Sequence, residues 1–93
     1  MDEKKIDIKV DEDVAVGMYS NLAVVRHSPE DFVFDFAFLF PDGPVGKLLG
    51  RIILSPAHAK RFLGALASNV QRYEAEHGVI DPGSAPPAVG FIQ

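Results

Sequence analysis

The residues of this chain whose types could do chemistry are few: His27, His58 and His77, and the pair Asp35 and Arg51. The histidines do not recur at a metal-site spacing, in which two imidazoles share one helix face with an acid nearby. His27 lies where a strand should end and His58 in the first turn of an expected helix, so the two could meet at one end of a sheet. The simpler reading gives each histidine a local turn or cap hydrogen bond. For Arg51, a functional reading is an anion hook. The structural reading, an Asp35–Arg51 cross-strand ion pair that fixes register, is the more economical. Ser28 follows His27, but adjacent strand residues point opposite ways, so the two make no Ser-His dyad. The glycines match no phosphate-binding loop. Cysteine is absent, which excludes a disulfide scaffold, a thiolate zinc site and a cysteine nucleophile. No catalytic constellation emerges, and no cofactor or metal is expected.

The elements that must carry these residues are clearer. Phe32, Phe34, Phe36, Phe38 and Phe40 fall on every second residue, so five of the seven phenylalanines share one parity. On a helix they would spiral round every face; on a strand they form a single line of rings. The opposite parity, Val33, Asp35, Ala37 and Leu39, is also mostly apolar. Residues 14–27 read as a preceding strand buried on both faces over part of its length, with Gly17 marking a bulge or close backbone approach. Ser28-Pro29-Glu30-Asp31 supplies a turn and Pro41-Asp42-Gly43-Pro44 a loop. Residues 47–54 form the third strand. Pairing Phe40 with Gly46 sets Phe38, Phe36, Phe34 and Phe32 against Leu48, Gly50, Ile52 and Leu54, and Asp35 against Arg51. A slip by one residue would place Arg51 among the rings.

Ser55-Pro56 begins a helix, serine as N-cap and proline at the first helical position. It runs to His77, and Gly78 ends it. Ala59, Leu63, Leu66, Val70, Tyr73 and His77 form an apolar stripe widened by Phe62 and Ala67. Residues 1–13 hold six acids and three lysines, with Ile6, Ile8 and Val10 in strand alternation, and read as either a frayed edge strand or a solvated tail. Residues 79–93, rich in proline, glycine and alanine, read as a flexible tail whose apolar end, 89–92, could dock.

Ninety-three residues make one domain. The domain organisation is an acidic segment 1–13, a β-β-β-α domain 14–78 and the tail 79–93. The fold class is α+β: an antiparallel meander of three to four strands followed by one long amphipathic helix. A net charge of −4 argues against a dedicated nucleic-acid binder, and Lys60, Arg61 and Arg72 make only a mildly basic helix side. No apolar run approaches the ~20 residues of a membrane span, and no targeting segment is visible, so a cytoplasmic location is expected.

Such a sheet is apolar on both faces, and one helix covers one face only. Five rings left in water would exceed the patch a monomer carries. Their burial is worth on the order of 20 kcal/mol before entropy is subtracted. A homodimer or higher oligomer is therefore expected.

The blocks His27-Ser28-Pro29-Glu30-Asp31-Phe32, Asp35-Phe36 and Arg51-Ile52-Ile53-Leu54-Ser55-Pro56-Ala57-His58-Ala59-Lys60-Arg61 resemble the small bacterial and archaeal "domain of unknown function 3467" family over residues 17–78. The resemblance implies a short stand-alone prokaryotic protein and adds no cofactor or catalytic residue. In architecture, without a shared motif, the chain is similar to SecB-type export chaperones, which hold unfolded chains on apolar grooves. The function expected is a non-enzymatic, self-associating protein that binds another polypeptide, as adaptor or holdase, through the five phenylalanines. The alternative is a small-ligand-binding protein or enzyme with a Phe-lined pocket at the subunit interface, where His27, Asp35, Arg51 and His58 are the polar points.

Overall fold

The computed structural model describes residues 4–84 and 89–90. The element order is α1 (Glu12–Ala15), β1 (Leu22–His27), β2 (Phe32–Leu39), β3 (Gly46–Leu54) and α2 (Pro56–His77). The three strands form one antiparallel sheet in the order β1-β2-β3. The expected meander followed by a long helix is therefore the observed fold.

The first strand is shorter than the sequence suggests. Residues 14–21 do not join it: Glu12–Ala15 is a short helix and Gly17 sits at φ 79°, a region favouring glycine. Acids at Glu12 and Asp13 suit a helix N-terminus, and this local preference overrides the β-branched composition. Pairing begins where Asn21 imitates a strand residue. Its backbone N–H donates to the Ala37 carbonyl at 3.2 Å. Its side chain accepts from the Leu39 N–H at 2.8 Å and donates to the Leu39 carbonyl at 3.1 Å. Of the two readings of the N-terminal segment, the edge strand is not formed: residues 6–10 are extended, unpaired and exposed.

The β1–β2 turn closes with the Ser28 N–H donating to the Asp31 carbonyl at 2.9 Å. The Ser28 hydroxyl accepts from the backbone N–H groups of Glu30 and Asp31 at 3.2 and 3.3 Å. Between β2 and β3 the expected register holds from Phe32↔Leu54 to Phe36↔Gly50, with Asp35 opposite Arg51. A bulge then leaves Leu49 without a partner and shifts the rest: Ala37 faces Leu48, Phe38 faces Lys47 and Leu39 faces Gly46. The anticipated pairs Phe38–Leu48 and Phe40–Gly46 are thus replaced, and Phe40 only donates its N–H to the Val45 carbonyl at 3.2 Å. The shift falls at the loop end, where Lys47 can keep its ammonium in water; two steps earlier it would have moved Arg51 off Asp35. Glycine at 46 is a steric requirement, since a Cβ there would stand 2.8 Å from the Phe38 carbonyl oxygen.

Helix α2 starts and stops as expected. Ser55 Oγ accepts from the His58 N–H at 3.2 Å, Pro56 opens the first turn, and Gly78 ends the helix at φ 96° with its N–H on the Glu74 carbonyl. Of the C-terminal segment, residues 79–84 and 89–90 are described; Ile80 donates its N–H to the Glu74 carboxylate at 2.8 Å. Phe91 and Ile92, part of the tail's apolar end, lie outside the described residues.

Packing inside one chain is sparse. Among the described residues only Leu22, Asp35 and Ala59 are buried. The helix meets the sheet through its first two turns, where the Phe62 ring stands edge-on to Phe34 at 5.6 Å, and then runs on with Leu63, Leu66 and Tyr73 exposed. The radius of gyration is 16.6 Å, against roughly 12 Å for a compact chain of this length.

Candidate functional site

Register assigns the two faces of the sheet. Cross-strand partners point the same way, so Phe32, Phe34, Phe36 and Phe38 share a face with Ala23, Val25 and His27 of β1 and with Gly50, Ile52 and Leu54 of β3. Phe62 on Phe34 puts the start of α2 on this aromatic face. His27 stacks on Phe32 at 5.5 Å. At the other end Phe38 makes edge contacts with Tyr19 at 6.5 Å and with Phe40 at 5.8 Å. The row is therefore continuous, though Phe40 lies past the strand and is exposed. Beside it Met18, Ser20, Phe36, Leu49, Gly50 and Ile52 line an open, mostly apolar groove of about 250 Å³. The bulge creates it, because Leu49 and Gly50 together oppose the Phe36 region and Gly50 offers no side chain.

The opposite face has a charged centre. Asp35 is 1% exposed. Arg51 donates from Nε to Oδ1 at 2.6 Å and from Nη2 to Oδ2 at 3.1 Å; Arg26 donates from Nη2 to Oδ2 at 2.6 Å. Arg51 thus grips the carboxylate in fork geometry while Arg26 closes it from the other side. The Arg51 hydrogen bonds hold the Asp35 carboxyl below its ordinary value of 3.8, against the upward push of burial and aided by the charges of Arg51 and Arg26. The same hydrogen bond raises Arg51. Both guanidinium side chains remain half exposed at the rim of the cluster. Ile53 and Leu48, on this face, are exposed.

The structure pairs Asp35 with Arg51 as the sequence suggests, and adds Arg26, which sequence reasoning missed. The signal was available. The turn at Ser28–Asp31 sets His27 opposite Phe32, which places Arg26 opposite Val33 and diagonal to Asp35. His27 and His58 do lie toward the same end of the sheet, since Phe32 links His27 to Leu54, but no hydrogen bond joins them. His27 sits on the aromatic face and Arg51 on the other, so one face does not gather the four polar candidates. Among the described residues no three His, Asp or Glu side chains are grouped to hold a metal ion. No described helix is long and apolar enough to cross a membrane.

The histidine-flanked Ser-Pro turn, the Asp35–Arg51 bridge and the Ser-Pro helix start now stand in one β-β-β-α frame. The family model "Protein of unknown function (DUF3467)" matches residues 1–82. The chain belongs to this family. The DUF3467 match takes in the acidic N-terminal segment as well as the sheet and helix, and stops in the segment after α2. No curated relative and no solved structure matches the chain.

Proposed function

We propose that this protein is a self-associating, non-enzymatic binder of another polypeptide, an adaptor or holdase working in the prokaryotic cytoplasm. The observation that carries the reading is the surface one chain leaves open. Its accessible area is 8691 Å², whereas area scaling gives about 5,300 Å² for a compact 10 kDa chain, an excess of roughly 3,400 Å². Residues 4–10 contribute to it, as do exposed stretches of sheet and helix. Half of that excess, buried on each of two chains, would make an interface of about 3,400 Å², within the obligate homodimer range. With an aromatic sheet face, exposed Leu48 and Ile53 on the other face and a helix stripe per chain, an assembly that closes one surface leaves another to take an extended or unfolded segment.

The alternative, a small-ligand pocket with His27, Arg51 and His58 as polar points, has less support, because register separates Arg51 from His27. Sedimentation across the micromolar range, together with aggregation of reduced insulin in the presence of the protein, tests the reading. The expected result is a mass of two or more chains and delayed insulin aggregation. A single-chain mass, or an assembly without effect on insulin beside saturable binding of a small metabolite, overturns it.

A further inference from the structure

The N-terminal segment presents a contradiction. Residues 4–10, Lys-Lys-Ile-Asp-Ile-Lys-Val, alternate apolar and charged side chains as a half-buried strand does. Their backbone is extended but makes no ladder, and Ile6, Ile8 and Val10 are 83%, 80% and 62% exposed. Three aligned apolar side chains in water bring one chain nothing. Asp11, α1 and the Gly17 turn stand between the segment and its own sheet. It is nonetheless no appendage, since the family match begins at residue 1.

The sheet supplies the complement. Among the described residues β1 is an outer strand of the sheet, and its pairing with β2 is regular over all six residues. It carries neither the proline nor the bulge that usually protect an edge, whereas the β3 edge is broken by the bulge at Leu49. Resting on the self-association proposed above, we infer that residues 4–10 of one copy add as a fourth strand to the β1 edge of a second copy, reciprocally about a two-fold axis.

The side chains fit in one of the two facings. With Ile6, Ile8 and Val10 beside Ala23, Val25 and His27, the added strand extends the aromatic face and covers Val25, which is 53% exposed. Asp7 and Lys9 then fall on the other face, the one that carries the polar Asp35, Arg26 and Arg51 side chains. The opposite facing would set both charges against the aromatic row.

Hydrogen exchange on the full chain tests the strand, and cross-linking tests its origin. At concentrations where sedimentation shows an assembly, amides of residues 6–10 should exchange on the order of 100-fold slower than coil. The chain has no cysteine, so Ile8→Cys and Val25→Cys can be placed in separate copies carrying different mass tags. A short bis-maleimide should join the two tags after co-refolding. Coil-rate exchange at residues 6–10 in an intact assembly, or a link formed only within a doubly substituted chain, overturns the inference and leaves self-association standing. A single-chain mass overturns both.

Discussion

The two faces of the sheet are completed by different means. On one, the Asp35 carboxylate has every need met inside a single chain: two arginines reach it from the strands on either side, and among the described residues no buried side-chain polar atom lacks a partner. On the other, four aromatic rings in line receive one edge contact from α2 and otherwise stay half open. A hydrogen bond is satisfied by one neighbour at 2.6 Å, and hairpin register delivers that neighbour. Apolar burial needs a layer about 10 Å thick, and a three-stranded sheet with one departing helix does not contain enough material to build it. Polar completion is local; hydrophobic completion is a question of mass.

The contrast breaks most visibly at Phe34. In an isolated chain this ring is already half-buried, with Phe62 edge-on against it, and its removal costs less than for a fully buried ring. In an assembly that buries it, Phe34→Ala should cost about 3–5 kcal/mol. Denaturant titration with parallel sedimentation should show both the lost stability and a mass falling toward one chain; a change under 1 kcal/mol would mean that no partner covers the row.

Asp35→Asn comes next, and its signature is a pH profile. Because the folded Asp35 pKa is depressed, the stability it contributes is complete above its ordinary value of 3.8 and is lost as pH falls through the lower folded value. The wild-type melting temperature should drop across that acid interval, and the substitution should flatten the drop while lowering stability at neutral pH. An unchanged acid limb would assign it to other carboxylates.

Smaller still is the effect of dilution, which touches only the apolar face. For a two-state dimer, each tenfold dilution should remove about 1.4 kcal/mol from the unfolding free energy. Differential scanning calorimetry at several concentrations should show the midpoint falling accordingly. A concentration-independent midpoint would place all stability inside one chain.

The smallest change is at the helix start. Ser55→Ala removes the acceptor for the His58 N–H and should cost about 1 kcal/mol by chemical denaturation. A markedly larger loss would show that α2 is anchored in the interface from its first turn.

How much was legible follows from the range of the forces involved. The three strands and the long helix were written in short periods: phenylalanine on every second residue, the 4-3 stripe between Ala59 and His77, serine and proline at residues 55 and 56. The Asp35–Arg51 bridge followed from the register that keeps Arg51 away from the rings. Residues 14–21 were misread because β-branched residues there carried more weight than the acids and Gly17 that turn the chain away. The bulge at Leu49 left no mark in either parity, since Leu48 and Leu49 are the same residue on opposite faces. Arg26 was reachable only after the β1–β2 turn had been counted through to its register.

The sequence by itself determined element type, order and antiparallel topology, because period, caps and short turns act over a few residues. Only the tertiary structure decided which way α2 leaves the sheet and that residues 4–10 stand clear of their own strands. Those outcomes depend on distances between segments remote in the chain, which no local pattern encodes.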